Sequence, residues 1–303
     1  MRQQIRSPSE MSLQGSHVAA RRSTCPVCQG GSLRPRPRYR KAFLATCLDC
    51  GHVTATAIPS DVDLEAHYAE YDRYHALSRV TFVRYSEILN SLEPFRRVNR
   101  LLDFGCGAGH FLLAARQRGW EVWGVESDER ARVVCAERGL DVKPKLGTGN
   151  SGDTDVATAF EVIEHLIDPV AVCQQIRQVL RPGGCLYLTT PNFGALSRRL
   201  LGPKWRVVQF PGHLQYFNRA SLGRLANRTG FAVARIWSSG MSPGDVLDAV
   251  AGSTPIRHRG QDLNEALREA GERRGLDVAK RMVNWGLRAT DLGDTLKVWL
   301  IAI

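Results

Sequence analysis

The most informative stretch of this chain runs Leu101-Leu-Asp-Phe-Gly-Cys-Gly-Ala-Gly-His-Phe-Leu112, where a short apolar run ends in a glycine-rich turn. The pattern predicts a strand over Arg100–Phe104, a tight turn over Gly105–Gly109 and a helix that follows to about Arg118. A dinucleotide fingerprint would need another glycine where His110 stands, and no lysine follows the turn as a P-loop requires. The turn suits instead the carboxylate of a small ligand, bound by backbone N–H groups at the start of the helix.

Strands and helices alternate from Val98 onward, which predicts an α/β fold built on a parallel sheet. Asp168 followed by Pro169 predicts the start of a helix, because the carboxylate caps free N–H groups and proline suits the first helical position. Glu126 ends the second predicted strand, where its carboxylate could accept hydrogen bonds from both hydroxyls of a ribose. The other predicted elements are strands over Glu121–Glu126, Asp155–Phe160, Cys185–Thr190, Phe231–Ser238 and Thr295–Ile303, and helices over Asp128–Arg138 and Ser221–Thr229.

Three motifs in this order resemble those of class I S-adenosylmethionine-dependent methyltransferases: the stretch quoted above, Asp155–Pro169 and Leu180-Arg-Pro-Gly-Gly184. The resemblance covers about Arg96–Ile303 and implies a Rossmann-like α/β domain that transfers a methyl group from S-adenosylmethionine. It places Asp103 and the glycine turn near the methionine moiety, Glu126 on the ribose, and the loop over 145–153 near the adenine. The cofactor-binding residues expected in this way are Asp103, Gly105, Cys106, Gly107, Gly109, Glu126, Ser127, Asp153 and Phe160.

Four of the eight cysteines form two C-x-x-C pairs, Cys25-Pro-Val-Cys28 and Cys47-Leu-Asp-Cys50. Two such knuckles at this distance predict a zinc ribbon over 25–58, in which four thiolates complete a structural tetrahedral site. His52 is surplus to that set, and we expect the ribbon and the sheet to have separate cores. The whole chain also resembles bacterial methyltransferases that join a zinc ribbon to this domain, several of them in glycan, lipid or secondary-metabolite pathways.

The net charge of +11 is concentrated near the amino terminus, because Met1–Ala42 carries eight arginines and one lysine against the single acid Glu10. We expect residues 1–24 to be a disordered basic arm, which could bind nucleic acid or remain a solvated tail. Residues 59–95 are expected to form a helical connector and 96–303 the methyltransferase domain. Within that domain we expect a lid insertion over 191–217 and a helical acceptor-side segment over 240–294. Without a secretory signal or a long apolar run, the expected compartment is the cytoplasm.

The candidate catalytic residues are Glu161, Glu164, His165 and His213. The spacing E-x-x-E-H would place the first three on one face of a helix, aimed out of the carboxyl end of the sheet. The pattern with a later histidine resembles the metal sites of methyltransferases that act on the terminal 2′-hydroxyl of small RNAs, and E-x-x-E-H also occurs in ubiquinone-pathway O-methyltransferases. The resemblance implies Mg²⁺ or Mn²⁺ at the acceptor hydroxyl. A general-base role for His165 or His213 without metal, and a purely structural role, are the alternatives.

The leading function is therefore O-methylation of a small-molecule, glycan or lipid-linked acceptor. An RNA methyltransferase that uses the ribbon and the basic arm is the second hypothesis. A non-catalytic cofactor-binding module is the third, and the intact set of Asp103, glycines and Glu126 argues against it. The sequence leaves the oligomeric state open.

Overall fold

The computed structural model describes residues 18–60, 62–64, 67, 79–147, 152–240 and 290–303. Most of the predicted acceptor-side segment and part of the predicted connector lie outside these ranges. None of the helices in the described ranges is long and apolar enough to cross a membrane.

The amino-terminal part of the chain forms short antiparallel strands around the two cysteine knuckles. They are β1 (Val18–Arg21), β2 (Leu33–Pro35), β3 (Leu44–Cys47), β4 (Val53–Ala55) and β5 (Ala57–Pro59). Strand β3 pairs with both β2 and β4, and β1 pairs with β5. The expectation of disorder over 1–24 is therefore wrong for Val18–Arg21, because this segment gains a hydrogen-bonded partner in β5.

The remaining elements include every strand predicted from Val98 onward. They are α1 (Arg79–Leu92), β6 (Arg100–Phe104), α2 (His110–Gln117), β7 (Glu121–Val125), α3 (Glu129–Glu137), β8 (Asp141–Lys143), β9 (Thr154–Phe160), α4 (Pro169–Val179), β10 (Leu180–Pro191), α5 (Leu196–Leu201), β11 (Gln215–Tyr216), α6 (Arg219–Arg228), β12 (Phe231–Ser239) and β13 (Thr295–Ala302), with short 3-10 helices at Pro37–Ala42, Glu93–Phe95 and Gly202–Lys204.

Seven of these strands form one mixed sheet in the order β12-β13-β10-β9-β6-β7-β8. The five strands from β8 to β10 run parallel, and β13 is antiparallel to both of its neighbours. From β6 the chain adds β7 and β8 on one side of the sheet, and from β9 it adds β10 on the other side. In such sheets ligands bind at the carboxyl ends of the strands, where the winding direction reverses. The Rossmann-like α/β prediction is confirmed.

The helices that follow the sheet strands begin where local sequence signals placed their starts. Helix α4 begins at Pro169, and the Asp168 carboxylate accepts the backbone N–H of Ala171 at 3.0 Å. The Asp128 carboxylate likewise accepts the N–H of Arg130 at the start of α3. Such caps satisfy N–H groups that have no partner within the helix.

The ribbon and the large sheet share one core, so the expectation of separate cores is wrong. Strand β11 pairs with β4 and completes a four-stranded sheet in the order β11-β4-β3-β2. The buried cysteines Cys25 and Cys47 belong to the same apolar cluster as Phe217 and Leu225 of the large domain. A ribbon of this size cannot bury enough apolar surface alone, which explains why it packs on its neighbour.

Candidate active site

The glycine turn between β6 and α2 lies at the carboxyl edge of the sheet. Gly105, Gly107 and Gly109 have φ of +76°, +52° and +75°, a region that L side chains rarely adopt. The backbone N–H of Gly105 donates to the carbonyl of Val125 at 2.7 Å, which ties the turn to the end of β7. A Cβ at Gly105 would lie 2.5 Å from Cγ2 of Val162. The turn therefore touches the segment that follows β9.

Glu126 stands directly after β7 and is 5% exposed. Its Oε2 accepts the backbone N–H of Gly107 at 2.9 Å, and its Oε1 accepts the N–H of Asp128 at 2.9 Å. The Ser127 hydroxyl lies 3.4 Å from the same Oε1. Glu126 and Ser127 thus lie beside the glycine turn.

Asp103 and Phe160 approach the same edge from β6 and β9. The Asp103 carboxylate is buried and accepts the Thr158 hydroxyl at 2.7 Å. Burial raises the pKa of Asp103 to about 7, the Thr158 hydrogen bond opposes the rise, and the Glu126 charge adds to it. The Phe160 ring ends β9 and packs edge-on against Phe111 at 4.8 Å between centroids.

The Cys106 side chain is also buried within the glycine turn, and its Sγ lies 3.7 Å from the carbonyl of Gly107. The other single cysteines, Cys135, Cys173 and Cys185, are buried and form no disulfide.

Asp153 lies away from this group, so its predicted place near the adenine is wrong. It precedes the first residue of β9 and forms an ion pair with Arg100, the first residue of β6. Because β6 and β9 are parallel, both residues lie at the amino edge of the sheet, opposite the glycine turn. The loop over 144–147 leaves β8 at the carboxyl edge, and the chain returns to the amino edge by Asp153.

A second cluster joins the segment after β9 to the predicted lid. A carboxylate oxygen of Glu164 and one ring nitrogen each of His165 and His213 all lie within 4.8 Å of one another. The two imidazole rings meet edge to face at 4.6 Å. Three of the four candidate catalytic residues are therefore brought together.

Glu164 is buried, and its two carboxylate oxygens have different surroundings. Oε2 accepts the Thr190 hydroxyl at 2.9 Å, whereas Oε1 accepts no hydrogen bond from the residues that the structure describes. Oε1 lies 3.9 Å from Nε2 of His165. Burial raises the pKa of Glu164 well above its usual range, and the nearby Glu161 raises it further. A buried carboxylate oxygen that accepts no hydrogen bond is costly unless a cation binds it or a proton is shared with the neighbouring Glu161.

Backbone carbonyls fix the orientation of both histidine rings. Nδ1 of His165 lies 2.8 Å from the carbonyl of Gly212, and Nδ1 of His213 lies 2.7 Å from the carbonyl of Val207. Because a carbonyl only accepts, Nδ1 carries the proton in each ring and the lone pair of the neutral imidazole is on Nε2. Burial lowers the pKa of His213 to about 3, and His165 lowers it further.

Glu161 is not part of this cluster, and the predicted helix over E-x-x-E-H is wrong. Glu161 has a φ of +53°, and the segment to His165 forms a turn before α4 begins. The carbonyl of Glu164 accepts the N–H groups of Leu214 and Gln215 instead of continuing a helix. Glu161 is therefore not among the three converging ligand atoms, although its carboxylate lies close enough to that of Glu164 to raise the pKa of Glu164.

The four knuckle cysteines form a separate group of possible ligands. Their sulfur atoms all lie within 4.8 Å of one another, with Cys25 and Cys50 at 3.6 Å and Cys28 and Cys47 at 3.5 Å. His52 is not a fifth member: its Nε2 lies 3.0 Å from Oε1 of Gln215.

Sequence reasoning missed Gln215 and Thr190, which support the Glu164 segment. Gln215 is buried and its amide nitrogen donates to the carbonyl of Leu166 at 2.8 Å. A polar residue at a buried position between Leu214 and Tyr216 was the available signal.

Comparisons with known proteins show what this chain is similar to. The family model described as a methyltransferase domain matches residues 71–236. The ubiquinone biosynthesis O-methyltransferase of Pseudomonas aeruginosa strain PAO1 is 32% identical over 228 residues, which cover 66% of this chain and 98% of that protein. The protein of the same name from Bordetella avium strain 197N is 28% identical and covers 63% and 84%. A solved putative sarcosine dimethylglycine methyltransferase from Galdieria sulphuraria is 16% identical with a TM-score of 0.48, and covers 73% and 84%.

The fold and the carboxyl-edge site thus define a class I methyltransferase. By the family match, the chain belongs to the S-adenosylmethionine-dependent methyltransferases and is an enzyme of that family.

Proposed function

We propose that this protein transfers the methyl group of S-adenosylmethionine to a hydroxyl oxygen of a small molecule, with a divalent metal ion held by Glu164, His165 and His213. One observation carries the proposal: the ligand atoms of these three residues converge within 4.8 Å. Glu164 and His165 lie on the turn whose Val162 approaches Gly105 of the glycine turn, and His213 lies on the lid. Two relatives named O-methyltransferases support a hydroxyl acceptor, and a glycan or lipid-linked molecule falls within the same class.

The donor set of this cluster fits a metal ion. Nε2 of each histidine carries the lone pair, and Oε1 of Glu164 is a buried acceptor without a hydrogen bond from the described residues. Two imidazoles and one carboxylate suit Mn²⁺ better than Mg²⁺, which prefers oxygen ligands. Such an ion, when bound, would lower the pKa of an acceptor hydroxyl.

The chain's own residues would supply binding and alignment. The glycine turn would hold the methionine end of the cofactor, and Glu126 would accept the ribose hydroxyls. Transfer from a sulfonium is an in-line displacement, so the position of the acceptor oxygen governs the rate. The lid over 191–217 contributes His213 and would cover the acceptor.

The four knuckle cysteines would hold a structural zinc ion. A tetrahedral ion with Zn–S bonds of about 2.3 Å separates its sulfurs by roughly 3.8 Å. The two closest pairs, at 3.5 and 3.6 Å, are near this value. Four protein ligands leave no open position, so this zinc would stabilise the ribbon and not take part in the reaction.

RNA is the second candidate acceptor, and a basic surface favours it. Residues 169–240 contain no aspartate or glutamate. The guanidinium groups of Arg36 in the ribbon and Arg198 in the lid lie 5.3 and 4.6 Å from the same Phe193 ring. Both segments also carry exposed cationic residues: Arg34, Arg38, Arg40, Lys41, Arg199 and Lys204.

Both candidates are tested by incubating the protein and Mn²⁺ with methyl-labelled S-adenosylmethionine and fractionated cell extract. Label in alkali-stable, organic-soluble small molecules is expected. Label that appears only in the RNA fraction and disappears with ribonuclease would contradict the small-molecule proposal. Label in no fraction, with cofactor binding intact, would contradict the catalytic proposal.

A further inference from the structure

Gln215 holds the segment that carries Glu164 and His165. The backbone N–H groups of Leu214 and Gln215 both donate to the carbonyl of Glu164 at 2.8 Å. The Gln215 side-chain nitrogen donates to the carbonyl of Leu166 at 2.8 Å. His213 lies two residues earlier on the same strand-forming segment. One residue thus joins the two chain segments of the proposed metal site.

The ribbon in turn orients the Gln215 amide. Because the carbonyl of Leu166 only accepts, the amide NH₂ of Gln215 must face it, and Oε1 must face His52. Nε2 of His52 therefore carries the proton and donates to that oxygen at 3.0 Å. This assigns both the amide orientation and the histidine tautomer.

His52 is itself held by the cysteine knuckle. Its carbonyl accepts the N–H of Cys47 at 2.8 Å, and its ring lies 4.8 Å from the Phe217 ring. The following residues pair with the lid, since Ala55 donates its N–H to Leu214. The side chain is fully buried, so its one hydrogen-bonded contact to Gln215 is shielded from water.

We propose that His52 is a positioning residue for the Glu164, His165 and His213 site, acting through Gln215. This rests on the proposed metal-dependent function. The ribbon, by this account, is part of the active-site framework as well as a zinc-stabilised fold element. Groups hydrogen-bonded directly to metal ligands change the metal affinity by about 10- to 100-fold when they are removed. His52 and Gln215 act on the backbone of the segment that carries the ligands, so we expect an effect near the low end of this range.

The test compares three substitutions in the full, zinc-loaded chain. His52→Phe fills the ring volume without a donor, and His52→Gln places an amide N–H near the former Nε2 position. Gln215→Met keeps the chain length and removes both side-chain bonds. Thr56→Val is the control, because it removes a ribbon hydrogen bond to Phe43 that does not lead to Gln215.

Mn²⁺ binding is measured by the loss of the free-ion electron paramagnetic resonance signal. We expect His52→Phe and Gln215→Met each to weaken Mn²⁺ binding about 10-fold or more and to lower kcat, with the KM for S-adenosylmethionine unchanged. The Mn²⁺ affinity of His52→Gln should remain within about threefold of the wild-type affinity. The Mn²⁺ affinity of Thr56→Val should equal that of the wild type.

Wild-type Mn²⁺ affinity in His52→Phe would overturn the positioning role of His52. A His52→Gln variant that binds Mn²⁺ as weakly as His52→Phe would overturn it as well. If His52→Phe loses zinc or cofactor binding, Gln215→Met decides, and wild-type Mn²⁺ affinity in that variant overturns the proposal. Wild-type protein that binds no Mn²⁺ would contradict the metal site itself. This outcome is distinct from those above, so failure of the proposed function can be told apart from failure of this inference.

Discussion

Gly105 and Val162 are in direct contact, with no room for a side chain between them: a Cβ on Gly105 would lie 2.5 Å from Cγ2 of Val162. Carbon atoms in favourable contact are about 3.5–4.0 Å apart. Gly105 lies in the predicted cofactor turn and Val162 between Glu161 and Glu164. The glycine turn and the turn that carries Glu164 and His165 are therefore packed directly against each other.

Gly105→Ala should weaken S-adenosylhomocysteine binding by at least tenfold. Its φ of +76° costs an alanine roughly 1–2 kcal/mol, and the contact with Val162 adds to this. Isothermal titration calorimetry measures the loss. Val162→Ala in the same chain removes Cγ2 and should restore part of the affinity. Equal affinities in the single and double variants would show that the contact does not matter.

Glu126→Ala should weaken both S-adenosylmethionine and S-adenosylhomocysteine by about 2–3 kcal/mol, because two charge-assisted hydrogen bonds to the ribose are lost. The Gly107 N–H also loses its acceptor. Glu129→Ala, at an exposed acid in the first turn of α3, is the matched control. Calorimetric affinities unchanged by Glu126→Ala would remove Glu126 from the cofactor site.

Cofactor binding should depend on pH through Asp103. Burial raises the pKa of this carboxyl to about 7 in the free protein, so it is protonated below that pH. The ammonium group of bound S-adenosylhomocysteine favours the ionised form and lowers the pKa again. Affinity should therefore rise from pH 5.5 to 7 and level off above, with one proton released on binding at pH 6.

This linkage is measured by calorimetry in two buffers with different ionisation enthalpies. Asp103→Asn should bind more weakly and lose the pH dependence over the same range. A wild-type affinity that is flat from pH 5.5 to 8 would place the cofactor ammonium away from Asp103.

Features set by neighbouring residues could be predicted from the sequence. The glycine turn, the caps of α3 and α4 and the cysteine knuckles each depend on a few consecutive side chains and the backbone beside them. The helices that these signals begin or end differ from their predicted bounds by one or two residues, as expected for helix ends.

Features set by distant contacts could not be predicted. The pairing of Gln215 with Thr54 joins residues far apart in the sequence, and it decides that the ribbon shares a core with the large domain. The N–H groups of Leu214 and Gln215 bond to the Glu164 carbonyl in the same region, so E-x-x-E-H forms a turn and Glu161 is not one of the converging ligands. Asp153, in contrast, could have been placed from the sequence, because a residue directly before a strand of a parallel sheet lies at the amino edge of that sheet.

Metal analysis should find one zinc per chain, and Cys47→Ser should abolish it. Because the ribbon shares a core with Phe217 and Leu225, we expect this variant to lower the melting temperature of the whole chain, not of the ribbon alone. Cys173→Ala, at a buried thiol outside the knuckles, should keep its zinc. Metal-free protein with four titratable knuckle thiols and full stability would contradict the zinc site.

The metal site is tested most directly by chelation during turnover. The protein is treated with EDTA, desalted and assayed for methyl transfer, while metal analysis confirms that the ribbon zinc is retained. We expect turnover to be lost with the cofactor still bound, and Mn²⁺ to restore more of it than Mg²⁺. Glu164→Ala should stay inactive at every pH, because it lacks a ligand. Turnover that resists the chelator, together with His165→Ala or His213→Ala activity that recovers as the pH rises, would contradict the metal site and favour a histidine base.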